Sequence, residues 1–200
     1  MEKVSKKIIA VDIDEILAGF IDYFIEYHNL TYKTRVTRDK VFSFDLHEVF
    51  EVTKEEIMDR MVKFGQEGHN VRISLVPGAK NGIDALLKKG YELHLVTARP
   101  TVIKPETELW INKHFPDKFT DLHNAFNSNI HQEGSKKKKW EICKEIGASV
   151  LIEDHLENAI GCAENGIRVY LMDTPWNQTE NLPPEVIRVK SWEEITTALK

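Results

Sequence analysis

Four short apolar runs punctuate the chain, each bounded by polar residues and separated by stretches of helical spacing. The first, Ile8-Ile9-Ala10-Val11, lies in a strand expected over about Lys7 to Ile13. The others are Tyr91-Glu92-Leu93-His94-Leu95-Val96, Ser149-Val150-Leu151-Ile152 and Ile167-Arg168-Val169-Tyr170-Leu171-Met172. Compact, β-branched runs of this kind suit strands covered on both faces, as in a parallel sheet. A shorter strand is expected within Asp121 to Phe126. Helical spacing fills the intervals: from Ala18 to Tyr27, from Pro77-Gly78-Ala79 through Leu87 with Gly90 as its stop, and from Glu106 to His114. Further helices run from Lys139 to Ile146 with Gly147 behind them, up to Asn165-Gly166, and from a Ser191 cap through Leu199. Pro175, Pro183 and Pro184 mark the last long loop. Strands that alternate with helices predict an α/β fold with a doubly wound parallel sheet.

Residues from about Leu30 to Ser74 break this rhythm. Phe42, Phe44, Leu46, Val49 and Phe50 come first, and Thr53-Lys54-Glu55-Glu56 then opens a helix with a capping-box signature. No second strand–helix unit is visible there, so the block reads as a small helical insert. The division expected is a core of residues 1–17 and 77–200 with an insert at 18–76. Phe42 and Phe44 are expected to pack inside that insert, and the polar segment Asn127 to Ser135 to form an exposed loop.

Composition narrows the class of partner. At 42% hydrophobic and 30% charged residues over 200, the chain has the make-up of one globular unit. A formal charge of -5 gives no footing for a nucleic-acid polymer. No apolar run approaches the roughly 20 residues of a membrane span, and Ile8 to Val11 is too brief for a signal-peptide core. Cys143 and Cys162 both fall in expected helices, which without a secretion signal reads as two reduced thiols and a cytoplasmic location. The histidines form no HxH or HExxH spacing, so zinc is not expected. The run Lys136 to Lys139 reads mainly as a solvated face.

Chemistry gathers where the strands end. Asp12 and Asp14 follow the first run, Thr97 the second, and Glu153 and Asp154 the third. Asp12 as a helix cap and Asp14 as a surface residue would be the plain reading of the first pair alone. In a parallel sheet, however, all of these ends share one edge, the usual place for a ligand. Carboxylates with a hydroxyl and a lysine make a kit for phosphoryl transfer: oxygen ligands for a cation, a carboxylate nucleophile and fixed positive charge.

The ordered set resembles the haloacid-dehalogenase-like (HAD) hydrolases. Val11-Asp12-Ile13-Asp14-Glu15-Ile16-Leu17-Ala18 is similar to their first motif and Leu95-Val96-Thr97-Ala98-Arg99-Pro100 to their second. Lys139, ahead of Leu151-Ile152-Glu153-Asp154, resembles the third and fourth. The Leu-Ala-x-Phe continuation to Phe20 and the later Pro175-Trp176-Asn177 resemble the 5'(3')-deoxyribonucleotidase type.

The resemblance implies a Rossmann-like core and a helical cap, Mg²⁺ as cofactor, and roles residue by residue. Asp12 is the implied nucleophile and a metal ligand; Asp14 is the implied acid and base, binding metal through its carbonyl. Thr97 and the Ala98 amide hold the phosphoryl oxygens, with Arg99 beside them in substrate binding. Lys139 neutralises charge, Asp154 completes the metal shell and Glu153 stands behind it. Phe20 either stacks on a base or packs within the cap. Glu15 departs from the glycine common in the family, and His155 from an arginine found in some relatives.

The expected activity is a phosphatase acting on a small phosphorylated metabolite, with a nucleoside monophosphate preferred. A sugar phosphate is the alternative substrate, and a non-catalytic HAD-fold binding protein the alternative class. A homodimer is compatible with the sequence.

Overall fold

The first apolar run forms β1 (Ile8–Val11), and it lies in the middle of the sheet. The computed structural model describes residues 7–43, 45–127 and 135–199. After β1 come α1 (Phe20–Tyr32), a short α2 (Leu46–Val49), α3 (Lys54–Gln66), α4 (Ala79–Lys88) and β2 (Glu92–Thr97). The middle of the chain holds α5 (Lys104–His114), β3 (Leu122–Asn124), β4 (Phe126–Asn127), β5 (Ser135–Lys136) and α6 (Lys139–Ile146). It closes with β6 (Ala148–Glu153), α7 (Leu156–Glu164), β7 (Arg168–Met172), β8 (Val186–Val189) and α8 (Trp192–Ala198). Six strands lie in the order β3-β2-β1-β6-β7-β8, every pair parallel, while β4 and β5 make a separate antiparallel pair.

Alternation along β1 divides the core into two layers. Ile9 and Val11 point into a cluster that includes Ile83 and Leu86 of α4, Trp110 of α5 and Ile195 of α8. Ala10 points the other way, into a layer with Ile142 and Cys143 of α6 and Ala159 and Cys162 of α7. Both cysteines are buried and free, as expected. On the first face α4 and α8 are in close contact: a Cβ at Gly82 would lie 2.2 Å from a ring carbon of Trp192. That indole also donates to the Ile16 carbonyl at 2.8 Å, tying α8 to the turn after β1.

Between β1 and α4 the chain leaves the sheet and returns beside its own exit. Ala18 bridges Leu75, Gly19 N–H donates to Ser74 O at 2.9 Å, and Val76 N–H donates to Leu17 O at 2.8 Å. The excursion holds an aromatic cluster continuous with the core on that face, with Phe24 5.4 Å from Phe64 and 5.7 Å from Phe50 between ring centroids.

Three expectations change. Val186–Val189, read as part of a proline-marked loop, is the edge strand β8. Phe42, expected to be packed, is 64% exposed. Thr53 does cap α3 by accepting from Glu56 N–H, but the Glu56 carboxylate turns to Arg60 rather than back to the cap. Lys139, the lysine of its run that the resemblance places in the site, is buried. Ser191 caps α8 as expected. Phe44 and most of the segment Asn127 to Ser135 lie outside the described residues.

One buried histidine fastens the excursion. Arg60 donates to His28 Nε2 at 2.6 Å, so the imidazole proton sits on Nδ1 and reaches Thr34 Oγ1 at 2.8 Å. Thr34 in turn donates to Asn29 Oδ1 at 2.7 Å. Burial, and then the Arg60 charge, push His28 down to about 4. Between the ordinary histidine value and 4, the unfolded chain binds a proton that the folded chain refuses. Stability is therefore present at neutral pH and lost as pH falls through that window, by at most about 3 kcal/mol. Urea midpoints at pH 7, 5 and 4 should show this loss in the wild-type chain and a shallower one in His28→Gln. Parallel losses in the two proteins would refute it.

Candidate active site

Register brings the chemistry to one edge. Val11 pairs with Leu95 on one side and with Ile152 on the other. Asp12, Thr97 and Glu153 therefore emerge together where β1, β2 and β6 end, with Asp154 next to Glu153. Asp12 N–H still donates to Ile152 O at 3.0 Å, so its backbone remains part of the sheet while its side chain leaves it. The turn beyond closes on Ile13 O, which accepts from Leu17 and Ala18 at 2.8 and 2.9 Å. Glu15 within it takes a positive φ of 58°, which accounts for glycine as the common residue there. Its buried carboxylate accepts from Ile21 N–H, at the start of α1, at 2.8 Å and from Arg38 at 2.7 Å. Burial still raises its pKa against the pull of Arg38.

Lys139 stands at the centre of the site. Its ammonium lies 2.8 Å from Asp12 Oδ1 and 2.8 Å from Glu153 Oε2. Burial works against the ammonium, but Asp12 and Glu153 outweigh it and hold its pKa above the ordinary lysine value. Glu153 meets the same burial penalty, yet Lys139 and the His155 N–H at 3.0 Å keep its pKa low. Asp12 fares differently: burial first, then the Glu153 charge, push it up to about 8. Asp154 is raised as well, by burial and then by Glu153 and Asp12. Oxygens of Asp12, Glu153 and Asp154 lie within 4.8 Å of one another. One lysine does not neutralise three buried carboxylates, and an all-oxygen set of this spacing fits a hard divalent cation. Glu153, expected behind the metal shell, is part of this cluster.

The second half of the site is built by Arg99. Its guanidinium grips Asp14 with two bonds, Nε to Oδ2 at 2.9 Å and Nη2 to Oδ1 at 2.6 Å. Burial disfavours its charge, and Asp14 more than offsets that. Thr107 Oγ1 accepts from the same guanidinium at 3.3 Å, and Asn124 donates to the Arg99 carbonyl at 3.1 Å. Thr97 is fully buried, and its Oγ1 accepts from Arg99 N–H at 3.1 Å, which leaves the hydroxyl proton for another acceptor. Ala98 is exposed between them. Phe20 is half-buried at the first turn of α1, stacked on Phe24 at 5.4 Å and edge-on to Phe64 at 5.9 Å.

Three participants were not assigned from sequence. Trp176 Nε1 donates to Asp154 Oδ2 at 2.9 Å, and Asn177 donates to the Asp154 carbonyl at 2.7 Å. The Pro175-Trp176-Asn177 triplet was a visible signal, but only of kinship. Arg38 reaches across from the excursion and carried no signal at all.

A sequence profile of the 5' nucleotidase, deoxy (pyrimidine), cytosolic type C family matches residues 6–199. The chain is 27% identical over 208 residues to a 5'(3')-deoxyribonucleotidase of Bacillus subtilis, covering 97% of this chain and 99% of that protein. Its fold is similar to that of YfnB from Bacillus subtilis, crystallised with magnesium bound, with a TM-score of 0.63 at 15% identity and coverage of 98% and 99%. A HAD-superfamily hydrolase of subfamily IA from Geobacter sulfurreducens gives 0.62 at 14% identity, covering 98% of this chain and 97% of that one. A profile match from end to end, on a sheet edge that gathers these carboxylates around a buried lysine, settles the kinship: the chain belongs to this nucleotidase family of HAD-fold phosphoric monoester hydrolases.

Proposed function

We propose that the protein is a Mg²⁺-dependent 5'-nucleotidase that hydrolyses nucleoside monophosphates through an aspartyl-phosphate on Asp12. The observation that carries the reading is the buried Asp12 carboxylate, 2.8 Å from Lys139 and clustered with Glu153 and Asp154. Asp12, Asp154 and the Asp14 carbonyl would hold Mg²⁺, with Glu153 beside them, and the bound ion would supply positive charge between nucleophile and phosphate. An Asp12 oxygen attacks phosphorus, and the bond from phosphorus to the nucleoside oxygen breaks. Asp14 gives its proton to that leaving oxygen. It then takes a proton from the water that attacks the aspartyl-phosphate, which returns free Asp12 and inorganic phosphate. Both Asp14 oxygens accept from Arg99 in the structure, so Asp14 serves as acid and base only once Arg99 has let go of it, with the phosphoryl oxygens as the guanidinium's new partner. Thr97 and the Ala98 amide hold the phosphoryl oxygens, and Lys139 balances the charge that develops on them.

Residues 18–76 act as the cap in this reading. Closure over the sheet edge removes water and strengthens every charge interaction beneath it. Phe20, at the root of the cap and backed by Phe24, offers its remaining face to the base.

Phosphate release across a panel of nucleoside monophosphates and sugar phosphates tests the substrate. Preference for the nucleotides, abolished by EDTA, is the expected result; sugar phosphates turned over faster would overturn it. Asp12→Asn should reduce turnover to background while the protein stays folded, and Asp14→Asn should cost about 10²–10⁴-fold in kcat. Appreciable phosphate release by folded Asp12→Asn would remove the nucleophile. For Phe20→Ala, loss of stacking at about 1–3 kcal/mol predicts a KM at least fivefold higher with kcat little changed. An unchanged KM for nucleotides would assign Phe20 to cap packing alone.

A further inference from the structure

Asp154, the residue after β6, is 1% exposed. A partner of its carboxylate comes from the far side of β7. Trp176 is a donor only, and its indole N–H is committed to Asp154 Oδ2 at 2.9 Å. Asn177 secures the backbone of the same residue, bonding the Asp154 and Met172 carbonyls at 2.7 Å each. One turn of chain thus clamps Asp154 at both ends, while Asp12 and Glu153 share the cluster with its carboxylate.

The indole has a second contact. The Arg38 guanidinium carbon lies 5.2 Å from its ring centroid. Arg38 belongs to the excursion and is held there by Asp22 at 3.0 Å, and it reaches Glu15, beside Asp14, at 2.7 Å. Arg38 therefore touches the turn that carries Asp14 and the ring that orients Asp154.

We propose that Trp176 is a positioning residue that sets the Asp154 carboxylate for Mg²⁺, and that Arg38 stacked on its ring makes this setting depend on the placement of the cap. The proposal rests on the metal reading above. Partners that orient metal ligands from behind commonly contribute 10- to 100-fold to metal affinity. Planarity matters to the stacking, so lysine does not replace the arginine there although it keeps the charge beside Glu15.

Calorimetric titration of the intact protein with Mg²⁺ separates the possibilities. Trp176→Phe keeps an aromatic ring near Arg38 and loses the indole N–H together with part of the ring area. It should bind Mg²⁺ 10- to 100-fold more weakly, and its half-saturating Mg²⁺ for activity should rise equally while kcat at saturating Mg²⁺ stays near wild type. Arg38→Lys should weaken Mg²⁺ binding several-fold, and the double variant should be no weaker than Trp176→Phe alone. A Trp176→Phe affinity within twofold of wild type would overturn the positioning role; multiplying effects in the double variant would overturn the link to the cap. Asp154→Asn separates the two readings: Mg²⁺ binding unchanged there would defeat the metal site itself. The wild-type chain offers a check that needs no variant. With ¹⁵N label on its 4 indoles, Mg²⁺ should shift one indole N–H resonance strongly, and no shift in any of them would refute the proposal.

Discussion

Everything at the sheet edge depends on one buried cation. Lys139 is the first residue of α6, where the exposed N–H groups of the helix already repel positive charge. A lysine placed there and removed from water is stable only because Asp12 and Glu153 each meet it at 2.8 Å. The dependence is mutual, since neither carboxylate has another buried cation this close among the described contacts. The arrangement still falls short of neutrality. Glu153 is held ionised, whereas Asp12 and Asp154 are pushed towards their protonated forms by burial and then by the Glu153 charge. The fold has built a site that is electrostatically incomplete alone, which is what a bound dication would resolve.

The turn after β1 shows how the backbone serves this. A tight reversal must follow Asp12 so that Asp14 faces the same edge, and the reversal needs one residue at positive φ. Glutamate fills that position at a cost of about 1 kcal/mol relative to glycine. Its carboxylate offsets that cost by satisfying Ile21 N–H at the open start of α1 and by binding Arg38. A departure that looks neutral in sequence thus links the catalytic turn to the excursion.

Legibility followed burial. The strands β1, β2, β6 and β7 are covered on both faces, so their residues could only be apolar runs, and all four were visible. At β8 the outer position and the half-buried Ile187 and Arg188 leave no such run, and two prolines just before it spoke for a loop. The residues at the strand ends were legible because buried carboxylates are rare and parallel topology fixes where they meet. Their partners were not. Whether Trp176 reaches Asp154 depends on a loop path, and Arg99 could as well have faced a phosphate as Asp14. Phe42 shows the opposite error: an aromatic in a helical block invites packing, yet the aromatic cluster of the excursion is filled by Phe24, Phe50 and Phe64 without it.

Division of labour between sheet and excursion follows from the same electrostatics. The carboxylates and Lys139 need fixed distances, and residues at the ends of buried strands provide them. Strong interaction among them also needs exclusion of water, while a substrate must enter and a product leave. One rigid unit meets these demands poorly. Here the two strands of chain that join core and excursion run side by side at Ala18 and Leu75, and the apolar side chains of the helices beyond continue the core on that face of the sheet. Arg38 adds a polar contact between the two. It lies half-exposed, with its charge shared between Asp22 on the excursion and Glu15 on the turn and its guanidinium carbon over the Trp176 ring. A contact of this kind is strong when the edge is dry and weak when water enters.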